Sequence, residues 1–189
     1  MLTLYFSPGS SAMATHIALH EIGVPFETKL VSLARGEQHS PEYLKINPEG
    51  KVPTLFVDDR KLTEVAATLY YLARRYPEAG LWPAGGLDEE AEAISWMSFI
   101  ASTVHPARRV GLERWKEVFR LAEGRLDNRD WAVGGRYSIA DIHLFRLYWR
   151  FKTTTNPAAG EYPGLDRHFA RMMARPAVQK TIDIESRVD

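Results

Sequence analysis

The segment from Pro77 to Gly86 holds two prolines and three glycines around Trp82, and it separates two stretches whose apolar residues recur with different periods. Proline removes a backbone donor and glycine adds backbone freedom, so neither pattern continues through such a segment. It reads as a linker over about 77–87 between a first domain at 1–76 and a second at 88–189. Before it, Leu2, Leu4 and Phe6 alternate with Thr3, Tyr5 and Ser7, which predicts a strand. Ser7-Pro8-Gly9-Ser10 is a turn, Ser10 or Ser11 can cap a helix reaching Ile22, and Gly23-Val24-Pro25 ends it. Phe26 to Val31 predicts a second strand, and the resulting βαβ unit favours a parallel pair with a right-handed crossover. A short helix is expected around Pro41 to Ile46. A hairpin of Thr54–Val57 with Lys61-Leu62 comes next, then a helix from Glu64 to Arg75 with Ala66, Leu69, Tyr70 and Leu72 facing inward. After the linker every pattern is helical: about Asp88–Arg109, Leu112–Leu126, Ile139–Phe151 and Tyr162–Arg175, with a short helix from Ala177.

Composition narrows the chemistry. There are 24 Lys and Arg against 24 Asp and Glu, so no net field pulls the chain toward nucleic acid or an acidic membrane. With no cysteine, disulfides, zinc–thiolate sites and dithiol redox chemistry are excluded. No apolar run approaches the roughly 20 residues that span a bilayer, and Met1 to Phe6 is too short for a signal-peptide core, so a cytoplasmic location is expected.

Four segments carry a family resemblance: Tyr5-Phe6-Ser7-Pro8-Gly9-Ser10-Ser11-Ala12, Asn47-Pro48-Glu49-Gly50-Lys51-Val52-Pro53-Thr54-Leu55, Leu62-Thr63-Glu64-Val65-Ala66 and Ser138-Ile139-Ala140-Asp141. In this order and spacing they resemble the glutathione transferase family over essentially the whole chain, nearest to its bacterial beta class. The resemblance implies a thioredoxin-like α/β N-terminal domain followed by an all-α C-terminal domain. It implies glutathione as co-substrate, no metal, a small electrophile as second substrate and a homodimer. The implied activity is conjugation of glutathione to small hydrophobic electrophiles. A transferase-like binding protein without turnover, and a glutathione-dependent isomerase or dehalogenase, are the alternatives.

The resemblance also assigns roles. A free thiol has a pKa of about 8.5, so a transferase must stabilise the thiolate. A hydroxyl donor at a helix N-terminus does this by a charge-assisted hydrogen bond and the helix dipole. Ser11 falls where the beta class usually has cysteine, and Ser10 precedes it; pure capping is the competing role for both. His105 matches a histidine placed near the sulfur, and Pro106, where lysine is common, is expected to kink or end its helix. Tyr5 is a further hydroxyl, with packing as its expected role. Val52-Pro53 matches the family's cis-proline pair, whose preceding residue offers backbone N–H and C=O to the peptide as an added strand would. Glu64 matches the acid that meets the γ-glutamyl ammonium. Val65 stands where the family has the serine that holds the γ-glutamyl carboxylate, so a hydroxyl is missing. Arg35 and Lys51 are candidates for the glycyl carboxylate. Ser138-x-x-Asp141 is a capping box with a purely structural role.

Overall fold

The computed structural model describes residues 1–188. The chain divides into two units, one made of residues 1–75 with the stretch from Pro176 onward, the other Tyr76–Arg175. This differs from the expected division at one place. The last helix, Pro176–Ser186, packs on the first helix and so groups with the first unit, where a cut made at the linker assigns it to the second.

In the first unit the order is β1 (Leu2–Phe6), α1 (Ala12–Ile22), β2 (Glu27–Leu30), α2 (Pro41–Ile46), β3 (Thr54–Val57), β4 (Arg60–Thr63) and α3 (Val65–Arg75). The strands form one mixed sheet in the order β2-β1-β3-β4. β1 runs parallel to β2, with Thr3 opposite Glu27, and antiparallel to β3, with Leu4 opposite Leu55; β3 and β4 form the hairpin. The parallel pair follows from α1, which supplies the crossover a short turn cannot. Leu4, Met13, Ile17, Leu55 and Leu69 have at most 1% exposure and form the core between sheet and helices. In α3, Tyr70 is exposed, contrary to the expected inward set; Thr68 is buried in that face instead. Leu69 and Leu72 already fix the apolar stripe, and Tyr70 falls just outside it at 100° per residue.

The last helix, here α9, contributes a carboxylate to this core. Glu185 is 5% exposed, and its two oxygens accept from the backbone N–H of Gly9 at 2.8 Å and pair with His16 Nδ1 at 2.9 Å. Burial, with like charge from His16 and Lys180, lowers the pKa of His20 to about 4.

The second unit contains α4 (Leu87–Phe99), α5 (His105–Val110), α6 (Leu112–Leu126), α7 (Ile139–Thr155) and α8 (Pro163–Met173). Its core is aromatic: Trp96, Phe119, Tyr148, Phe151 and Tyr162 are fully buried, and Phe119 and Phe151 approach to 4.5 Å between ring centres. Between α4 and α5, residues Ile100–Val104 form a π-helical turn. Pro106 was expected to kink or end the helix, and it does neither outright. Its ring would crowd the carbonyl four residues back and it has no N–H to give, so the helix widens by one π turn and then continues to Val110.

The Ser138 box forms as the spacing predicts. Asp141 Oδ2 accepts from Ser138 N at 2.9 Å, while Oδ1 accepts from Ala132 N at 2.8 Å and meets His168 Nε2 at 3.0 Å. Ser138, Asp141 and His168 all have zero exposure. Glu123 of α6 similarly accepts from the first backbone donors of α8, Gly164 N and Leu165 N, supplying partners that the helix start cannot provide itself.

His143 in α7 is 2% exposed and its Nδ1 has no hydrogen-bond partner. Burial, aided by His105 and Arg146, lowers its pKa from 6.5 to about 3. The folded state therefore refuses a proton that the unfolded chain accepts below pH 6.5, and stability falls as the pH drops from 6.5 toward 3. Each pH unit costs about 1.4 kcal/mol per such group. Denaturant titrations at pH 7 and pH 5 check this: the wild type is expected to lose about 2 kcal/mol more than His143→Leu over that interval. Equal losses would mean that His143 is not held neutral.

Candidate functional site

In the first unit, three backbone features meet at the end of the sheet where α1 starts. The turn Ser7–Ser10 leads into α1, with Gly9 at φ 59° and Ser10 N donating to Ser7 O at 3.1 Å. The Val52–Pro53 bond is cis. The hydroxyl of Ser11 donates to the carbonyl of Val52 at 2.8 Å and so ties the start of α1 to the proline loop. The two serines behave differently. Ser11 occupies the cap position with helical backbone angles and no capping bond from its side chain. The Ser10 hydroxyl instead accepts from Ala12 N at 3.2 Å.

The loop carrying Val52 is held from below. The Asn47 side chain accepts from Glu49 N at 3.1 Å and donates to Lys51 O at 2.9 Å, and the Tyr43 hydroxyl donates to the same carbonyl at 2.7 Å. Burial raises the Tyr43 pKa, keeping it a donor. Gly50 has φ 60°, and a Cβ there would lie 2.7 Å from His39 Nδ1, so only glycine fits this turn. Thus the Asn-Pro-x-Gly run shapes the loop that displays Val52.

Opposite lies the start of α3. Glu64, exposed, takes φ 67°, a left-handed conformation that costs a non-glycine residue about 1–3 kcal/mol and is concentrated at functional sites. Val65 follows as the first helical residue, 7% exposed. Its carbonyl accepts from Thr68 Oγ1 at 2.9 Å, and Thr68 meets Thr15 Oγ1 at 2.7 Å. Because the Thr68 proton goes to Val65, Thr15 is the donor in that pair, and the chain Thr15–Thr68–Val65 fixes the start of α3 against α1.

The remaining candidates are more peripheral. Arg35 is exposed and pairs with Glu37 at 3.0 Å; Lys51 is exposed and pairs with Glu49 at 2.9 Å. The Tyr5 ring packs at 6.0 Å from Tyr43 and 5.8 Å from Phe56, with the Lys29 ammonium 5.4 Å from its centre. His105 belongs to the second unit, exposed, as the first residue of α5 directly after the π turn. Ser10, Ser11, Val52, Pro53, Glu64 and Val65 therefore share one unit with Tyr5, Arg35 and Lys51, and His105 comes from the other.

Glu185, Asn47, Thr15 and Thr68 did not stand out in the sequence. Asn47 opens the Asn-Pro-x-Gly run, and that place is its one signal in the sequence. The two threonines sit on apolar helix faces, and only their pairing across α1 and α3 gives them a role.

Residues 1–74 match the glutathione S-transferase N-terminal domain, and residues 92–176 match the C-terminal domain of the same family. A curated relative named glutathione S-transferase GST-4.5, from Xanthomonas campestris, is 30% identical over 97% of this chain and 98% of its own. Glutathione S-transferase GstA of Escherichia coli O157:H7 is likewise 30% identical, with the same coverage. Among solved structures, a sphingomonad glutathione S-transferase complexed with glutathione superposes with a TM-score of 0.88 at 32% identity, over 98% of this chain and 100% of that one. The beta-class enzyme of Sphingomonas chungbukensis superposes at 0.84 with 31% identity, over 98% and 100% of the two chains. The chain belongs to the glutathione S-transferase family.

Proposed function

We propose that this protein conjugates glutathione to small hydrophobic electrophiles, holding the tripeptide on the first unit and stabilising its thiolate at the start of α1. The observation that carries this reading is the junction of Ser11 with the Val52 carbonyl beside the cis proline. It puts the start of α1 and the backbone of Val52, just before β3, within one small region. The backbone of Val52 pairs with the cysteinyl part of glutathione as an added strand. The backbone N–H of Val65, at the positive end of α3, receives the γ-glutamyl carboxylate, and Glu64 meets the ammonium. Arg35 and Lys51 release their present acid partners in exchange for the glycyl carboxylate. The serine pair donates to the sulfur, Ser11 by turning its one hydroxyl proton away from the Val52 carbonyl that now holds it. The thiolate then attacks the electrophilic carbon, and the leaving group departs with the electron pair of the bond that breaks.

A binding protein without turnover is the second reading, and the apolar, buried side chain of Val65 favours it. Calorimetric titration with glutathione, followed by a conjugation assay with a chlorodinitrobenzene-type electrophile, separates the two. Binding with turnover above the uncatalysed rate supports the transferase. Binding without turnover across several electrophile classes supports the binding protein, and absence of glutathione binding removes the transferase.

A further inference from the structure

The inward and lateral faces of α1 carry a pair of histidines that the glutathione site does not use. His16 and His20 stand four residues apart, so both project from one face of the helix. Their rings stack with centres 4.9 Å apart and 29° between planes. His16 is fully buried, and the carboxylate of Glu185 lies 2.9 Å from its Nδ1. A carboxylate accepts, so Nδ1 carries the proton and Nε2 keeps its lone pair. That Nε2 is buried with no hydrogen-bond partner, and so is Nε2 of His20. A buried polar atom without a partner costs about 1–3 kcal/mol, which a bound group at that atom would offset. Both residues line an open groove of about 450 Å³, together with Val24, Phe26, Lys180 and Ile184.

We propose that His16 and His20 form a two-nitrogen site for a borderline first-row divalent cation such as Ni²⁺ or Zn²⁺, with Glu185 behind His16 as the orienting carboxylate. Three independent features converge on this class. Imidazole nitrogens prefer Zn, Cu and Ni over Mg or Ca. The i, i+4 spacing on one helical face is the spacing by which helices present paired histidines to zinc. A carboxylate on the second ring nitrogen is the outer-shell partner that metal-binding histidines characteristically have, fixing the tautomer and raising basicity. Stacked rings direct their lone pairs side by side, so joint ligation needs the half-buried His20 ring to turn about its Cβ–Cγ bond toward Nε2 of His16. Among the described residues no group of three or more His, Asp or Glu side chains could hold a metal, so water from the groove completes the coordination. The Lys180 ammonium facing the groove opposes a cation, which sets the affinity well below that of a closed structural site. The Glu185 carboxylate also holds Gly9 N, so the site is joined to the turn before Ser10.

The test is calorimetric titration of the full-length protein with Ni²⁺ and with Zn²⁺, beside His20→Ala, Glu185→Gln and the remote control His39→Ala. One equivalent should bind in the wild type and in the control. His20→Ala is expected to weaken binding at least tenfold, and Glu185→Gln by about 10- to 100-fold. Titration of the wild type with Zn²⁺, followed through the histidine ring NMR signals, needs no variant and should move those of His16 and His20 first. No binding, binding indifferent to His20→Ala, or ring signals that move first at other histidines would overturn the proposal.

Discussion

Asp141→Ala is expected to destabilise the second unit by about 3–5 kcal/mol, a large share of the roughly 5–15 kcal/mol that holds a typical domain folded. The size follows from what the carboxylate holds. It accepts from two backbone donors, Ala132 N and Ser138 N, and from the Ser138 hydroxyl, and it faces His168, all without solvent. Removing it strands these donors in a dry environment, and each buried orphan costs about 1–3 kcal/mol. Ser138→Ala removes one cap and should cost only about 1 kcal/mol. Urea denaturation of the three proteins checks both figures. A loss for Asp141→Ala no greater than that for Ser138→Ala would mean that water or a shifted backbone fills the site.

Val65→Ser is expected to tighten glutathione binding by roughly 10- to 100-fold, since a hydrogen bond to a charged group is worth about 1.5–3 kcal/mol. The position is the first residue of α3, where the backbone N–H groups of a helix start favour an anion and the side chain supplies no donor. The fold should tolerate the change, because Val65 is held through its carbonyl by Thr68, and serine is acceptable at a helix start. An ordered water in place of the missing hydroxyl would shrink the gain. Calorimetry of both forms at one pH measures it. An unchanged or weaker affinity would show that the γ-glutamyl end is not held here, and would favour a site rebuilt around an apolar ligand.

The architecture was legible where local chemistry and global fold ask for the same thing. The change of period at the Pro77–Gly86 linker, the strand–turn–helix at Tyr5–Ala12 and the Ser138 box each state their structure in a few adjacent residues, and the sheet forms as the βαβ and hairpin patterns imply. What stayed hidden depends on distant partners. Nothing within Pro176–Ser186 tells that it packs on α1 and sends Glu185 to Gly9 and His16. Proline at 106 signals trouble for a helix, yet the π turn at Ile100–Val104 that accompanies it, with Ile100 and Val104 fully buried, leaves no mark of its own in the sequence. Tyr70 scans as apolar, although its amphipathic ring is at home at the surface. At the candidate site the sequence singled out Ser10 and Ser11, with Ser11 at the family's cysteine position. Their different bonding appears only in the fold, one hydroxyl donating to the Val52 carbonyl and the other accepting from Ala12 N.

The role of the serine pair is the centre of the functional account, and the thiol pKa of bound glutathione reports on it directly. Ultraviolet difference titration of the glutathione complex measures the thiolate as a function of pH in the wild type, Ser10→Ala, Ser11→Ala and the double variant. If the hydroxyls stabilise the anion, the bound thiol ionises below the free value of about 8.5 in the wild type. In the double variant its pKa should return by about one to two units, with kcat/KM falling about 10- to 100-fold. Ser11→Ala should in addition raise the KM for glutathione, because it releases the Val52 carbonyl from α1. A bound thiol with the same pKa and the same kcat/KM in all four proteins would contradict the account and leave the serines as structural parts of the turn alone.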